Sequence, residues 1–205
     1  MTINREIVTD YLARAFVGAL LALLSATLLG DFLKTGRVTG LFLLVSEAMV
    51  IVLMIARRRA HFVDRSVGAA IATTATVTGP ALVRTADAAG LVPDGITAAL
   101  SVAGLALVIA GKLTLGRSFG IAPANRGIIA RGPYLIVRHP IYAGYLMTHA
   151  GFLIAHVRPW NVVILAAADT ALIVRALIEE RVLSADIEYQ SYCRRVTWHL
   201  VPGVF

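Results

Sequence analysis

Charge, acidic residues and cysteine are scarce in this 205-residue chain. A single cysteine, Cys193, excludes an intramolecular disulfide framework and any metal site built on a cysteine cluster. Only 15% of residues are charged, against about 25% in an ordinary soluble domain. The hydrophobic share is 58% and the mean hydropathy +0.78, which excludes a disordered chain. Internal repeats and low-complexity linkers are also missing, and no composition shift marks a domain boundary, so residues 1–205 read as one domain. Twelve acids against nineteen Lys and Arg leave a net charge of +7. In a soluble protein that excess would point to nucleic acid. Here the placement of the basic residues gives another explanation.

What is present is a series of apolar stretches: residues 13–32, 40–56, 67–83, 96–115, 141–157 and 160–174. A helix crosses about 30 Å of hydrocarbon with about 20 residues. The first, second and fourth stretches fit that length. The third is weakened by Gly79-Pro80 inside it, and the last two are short and turn at Pro159. The expected fold is all-α, a polytopic transmembrane helical bundle of five to six spans with the last two as a helical hairpin. A soluble bundle would lack the polar surface to cover so many apolar segments. The first stretch runs into Gly30-Asp31-Phe32, which is no signal-peptide cleavage pattern. With six spans and both termini cytoplasmic, fifteen of the nineteen Lys and Arg fall on the cytoplasmic side, and Lys34, Arg37, Arg84 and Arg158 fall outside. The basic excess is then a membrane-orienting feature, and the expected partner is the lipid bilayer rather than nucleic acid.

The polar stretch 116–138 and the tail 175–205 fall on the same face, so one site can be built from both. In the run from Arg131 to Tyr145, RGPYLIVRHPIYAGY, Gly132-Pro133 is turn chemistry. His139-Pro140 reads as a helix start, where proline's missing N–H costs nothing. A helix start at the polar boundary holds anions; equally, Arg138, His139 and Tyr142 are ordinary interfacial anchors. In VRALIEERVL, Arg175 and Glu179 are four apart, either a simple ion pair or a functional pair at the membrane surface. Glu180 has no partner at that spacing. His149 and His156 share a face of the fifth stretch. Without a nearby carboxylate in sequence they make a poor metal site, and interhelical hydrogen bonding is the better reading; no metal is expected. Asp169 and Glu47 are acids inside apolar runs, either hydrogen-bond partners or walls of a polar cavity. Cys193 reads as an inert thiol, and Trp198 as an anchor.

Taken in order, GRSF, GPYLIVRHPIYAGY, EERVL and EYQSYCRRV…VPGVF resemble the isoprenylcysteine carboxyl methyltransferase and phospholipid methyltransferase superfamily, integral membrane enzymes that use S-adenosylmethionine. The resemblance covers about residues 112–205. It implies a cofactor pocket lined by Tyr134, His139, Pro140, Ile141 and Tyr142, with Glu179, or alternatively Glu180, contacting the cofactor. Arg126, Gly127, Ile128 and Ile129 would form a connector facing it. Arg175 stands where the carboxyl methyltransferases place a substrate-binding arginine, and Arg138 and Arg195 also match motif arginines. The implied activity is methyl transfer to a lipophilic or small acceptor: an isoprenylcysteine-like carboxylate, a phospholipid amine or a thiol. The compactness of the chain points to a bacterial inner membrane. The pattern is also similar to NADPH-dependent membrane sterol-type reductases. Those usually read R-H-P-N-Y-x-x-E, and this chain has Ile141 for the Asn and Tyr145 for the Glu. A non-catalytic membrane scaffold would explain the spans and the basic face, but not RHPIYAGY and EERVL at one membrane face.

Overall fold

A computed structural model describes residues 62–64, 66–84 and 91–205, with isolated helical positions between 15 and 56. The chain divides into two compact units, 1–56 and 57–205, and the second carries the features below. Apart from those isolated positions, the first two expected spans lie outside the described residues, as do Glu47, Lys34 and Arg37.

Among the described residues the fold is helical, as expected. Helix α1 is Val67–Thr78, α2 Asp94–Leu115, α3 Pro140–Ala155, α4 Pro159–Leu183 and α5 Ile187–Arg195. Two strands of two residues, β1 (Phe62–Val63) and β2 (Ala124–Asn125), pair antiparallel. Among the described residues two helical segments are long and apolar enough to cross a membrane, Gly95–Ser118 and Pro159–Leu183. The third apolar stretch stops early. Helix α1 ends at Thr78 and a 3-10 turn, Gly79–Leu82, follows with Pro80 in its first turn.

Local chemistry sets the other boundaries. Ser66 caps α1 by accepting from the Ala69 N–H. Gly116 ends α2 at φ 49°, a left-handed conformation that a side chain rarely adopts. Helices α3 and α4 both begin on proline, with only residues 156–158 between them.

Helices α2 and α3 meet backbone to backbone. A Cβ on Gly144 would stand 2.6 Å from the Gly104 carbonyl oxygen, and one on Gly111 would stand 2.6 Å from Ile141 Cγ1. Gly151 meets Ser101 in the same way, so glycines seven apart on each helix line the contact. Such small-residue seams are how helices associate where no hydrophobic effect drives them together.

At one end of the bundle, fully buried Asn161 accepts from the Arg84 N–H at 3.0 Å and donates to the Arg84 and His156 carbonyls, each at 2.8 Å. The Trp160 indole donates to Leu82 O nearby. The opposite end gathers residues 116–138 and the C-terminal tail.

Candidate active site

The tail closes over the start of α3. The Arg138 N–H donates to Trp198 O and the His139 N–H to His199 O, each at 2.9 Å. The Tyr192 hydroxyl donates to Tyr134 O at 2.7 Å. Burial pushes the Tyr134 and Tyr192 phenols well above the ordinary tyrosine range, so both stay neutral donors. Tyr189, Tyr192 and Val196 form a small apolar core on α5, packed by Ile128 and Ala130. Asn125 donates to Asp186, the N-cap residue of α5, at 2.9 Å. The polar stretch and the tail are thus one assembly.

Glu180 sits at its centre. Arg138 Nη1 donates to Oε2 at 3.0 Å, and His199 Nε2 stands 3.1 Å from the same oxygen. His139 Nε2 stands 3.1 Å from Oε1. Arg138 also donates through Nε to Val196 O at 2.7 Å. Both carboxylate oxygens are therefore engaged, and Glu180 clamps the motif histidine, the motif arginine and the tail.

Glu179 faces the other nitrogen of the His139 ring, with Nδ1 4.0 Å from its Oε2, and Tyr142. It accepts from the Tyr142 hydroxyl through Oε2 at 2.7 Å, and Oε1 has no hydrogen bond among the described residues. The Tyr142 ring stacks on His139 with an interplanar angle of 2°. On its other neighbour, the Arg175 guanidinium carbon lies 5.2 Å from the ring centroid. Arg175 is 8% exposed, donates through Nη2 to Ile121 O, and has a buried Nε without a partner among the described residues. The ordinary Arg175–Glu179 ion pair allowed by their spacing is not formed: each turns to Tyr142 instead.

Not every residue singled out in the sequence joins this cluster. Arg126 is buried and donates to Ala122 O, with Gly120 packed so closely that a Cβ there would strike its guanidinium. Gly127 holds φ 95°, which lets the chain turn after it. Ile128 packs on the α5 core, Ile129 is partly exposed, and Arg195 is exposed at the last turn of α5.

An apolar cavity of about 450 Å³ opens beside the cluster rather than in it. Leu100 and Leu107 of α2, Ala143 and Met147 of α3, and Leu200 and Val201 of the tail line it. Sequence reasoning missed it, because its walls come from three separated segments.

A second polar group lies farther along α3. His149 Nδ1 stands 2.5 Å from Asp169 Oδ1 of α4. Tyr145 stacks on His149 with centroids 6.3 Å apart, and the Lys112 ammonium lies 5.6 Å from the Tyr145 centroid. The carboxylate that His149 lacked in sequence is supplied across the helix pair, in keeping with interhelical hydrogen bonding.

A family model described as PEMT, phospholipid methyltransferase, matches residues 95–187. No curated protein matches the chain. The matched stretch runs from the first turn of α2 to the start of α5 and contains every member of the cluster except the tail.

Proposed function

We propose, from a chain whose core carries the phospholipid methyltransferase pattern, an integral membrane enzyme that uses S-adenosylmethionine to methylate a lipophilic or small acceptor. The family supports the coarse reading, a membrane methyltransferase. One observation supports the finer one: Glu179 and Glu180, adjacent at the end of α4, reach two different partners in the R-H-P-I-Y segment. Glu180 is consumed in holding the site together. Among the described residues, Glu179 keeps one oxygen uncommitted and Arg175 one buried N–H.

Those two groups fit a ligand carrying both hydrogen-bond donors and an anion. Glu179 would accept from the cofactor, with Tyr134, His139, Pro140, Ile141 and Tyr142 shaping the wall beside it. Bound there, S-adenosylmethionine supplies an electrophilic methyl group on a sulfonium. The protein's own work is to orient and to exclude water, and orientation is worth about 7–11 kcal/mol of barrier. Tyr142 fixes the Glu179 carboxylate, and the His139 ring fixes Tyr142 by stacking. Arg175 would hold an anionic group of the acceptor, for which a guanidinium fork is suited. Arg138 anchors the tail as a lid over the start of α3. The apolar cavity beside α3 would take the acceptor's hydrocarbon.

In this reading α3 and α4 form a membrane hairpin within a bundle of five or six spans. The end bearing Glu179, Glu180 and the tail faces the cytoplasm of a bacterial cell, and Arg84 and Arg158 face outward. The test is a methyl-transfer assay on the purified protein with labelled S-adenosylmethionine and fractionated membrane lipid, followed by identification of the product. A labelled lipid or small molecule supports the reading. Binding of NADPH with no methyl transfer would replace it with a reductase.

A further inference from the structure

The methyl-transfer reading leaves one built cluster unused. His149 and Asp169 face each other from α3 and α4 at 2.5 Å. His149 lies seven residues from Tyr142 on the same helix face, about 10 Å along α3. Among the described residues three groups stand near it. Asp169 comes from α4 and Tyr145 from α3, and Lys112 of α2 lies over the Tyr145 ring. Helix α1, which packs on α4, carries no titratable residue. Ionisable groups inside membrane helices are costly to keep, and an interhelical hydrogen bond alone needs no carboxylate.

A histidine whose ring nitrogen is held by a carboxylate is a base with its orienter. The carboxylate fixes which nitrogen is free and stabilises the imidazolium that forms. With Nδ1 turned to Asp169, Nε2 is the nitrogen left to take a proton. Carboxylate and thiolate acceptors are already nucleophilic and need no such group. A protonated amine is inert until it loses a proton. We propose that His149, held by Asp169, is the proton acceptor that readies an amine on the acceptor for methylation.

The step balances. One proton passes from the acceptor's ammonium to His149 Nε2, leaving a neutral amine with a free lone pair. That pair forms the N–C bond, and the bonding pair of the S–CH3 bond stays on the sulfur of the sulfonium donor. The proton on His149 then leaves to water. Asp169 is the positioning residue, since it touches His149 and not the acceptor.

This inference rests on the methyltransferase reading, so its test separates the two. S-adenosylhomocysteine binding is measured first by calorimetry on wild type, His149→Gln and Asp169→Asn. No binding by wild type overturns the methyltransferase reading itself. With binding equal in all three, two further measurements decide the role of His149. Imidazole 15N signals absent from His149→Gln should shift in wild-type micelles with dioleoylphosphatidylethanolamine and not with dioleoylphosphatidic acid. Amine methylation should fall at least a hundredfold in His149→Gln and at least tenfold in Asp169→Asn at neutral pH. Raising the pH should recover much of the His149→Gln rate, because the amine then loses its proton without help. Unshifted signals, or an unchanged rate and pH profile in His149→Gln, would overturn the proposal. So would a wild-type enzyme that methylates only carboxylates or thiols.

Discussion

Single residues divide here into clamps and uncommitted groups. Arg175 is the clearest of the second kind, buried with an N–H to spare. Its loss removes a charge-assisted contact of about 1.5–3 kcal/mol, so Arg175→Ala should weaken acceptor binding roughly tenfold to a hundredfold and cofactor binding far less. Separate titrations with acceptor and with S-adenosylhomocysteine measure the two, and equal losses would refute the assignment. Asn161 is a clamp. Asn161→Ala strands the Arg84 N–H and two carbonyls, which should cost on the order of 3 kcal/mol, read as a lowered Tm in detergent. Little change would mean that water replaces the side chain there. The motifs made Glu179 and His139 legible, since their residue types and order are local. Asn161 and the His149–Asp169 pair were not, because their partners lie across the fold and no spacing along one helix reveals them. The same limit explains the Arg175–Glu179 pair: helical spacing allowed it, and a tyrosine from α3 outcompeted both partners.

At the level of elements, the seam between α2 and α3 carries the site, because it fixes where α3 starts. A methyl group at Gly144 would meet the Gly104 carbonyl and the Val108 side chain, at 2.6 and 2.7 Å. Gly144→Ala should therefore cost about 1–3 kcal/mol through overpacking, measured as a drop in thermal stability. The glycines seven apart were visible in the sequence, and their meaning depended on knowing which two helices meet. Helix α5 is tied down differently. Tyr192→Phe removes its hydrogen bond to Tyr134 O, worth roughly 1 kcal/mol, and should loosen the tail over the start of α3. Faster proteolysis within residues 196–205 would report it, and an unchanged cleavage rate would show that the Val196 and Leu200 packing suffices. Helix boundaries followed proline and glycine closely: α3 and α4 begin on prolines read from sequence, and α1 stops where Pro80 said it would. The apolar cavity had no such punctuation, so the pattern alone was silent about it.

For the whole molecule, the distribution of charge and of polar contacts runs the same way. Arg84 meets Asn161 and Trp160 at one end, while Arg126, Arg138 and the α5 basic residues collect at the other. Sidedness is tested by cysteine labelling in a Cys193→Ser background. Arg131→Cys should react only after the cytoplasmic face is exposed, and Val157→Cys should react from outside. Labelling of both from one side would contradict the proposed topology. The methyltransferase account itself stands on Glu179 as the cofactor's contact beside the Glu180 clamp. Calorimetric titration of purified protein with S-adenosylhomocysteine tests it most directly. The account expects saturable one-site binding by wild type, lost in Glu179→Ala while the variant keeps the wild-type Tm. Wild-type protein that gives no heat of binding, or Glu179→Ala that binds as tightly as wild type, would contradict it.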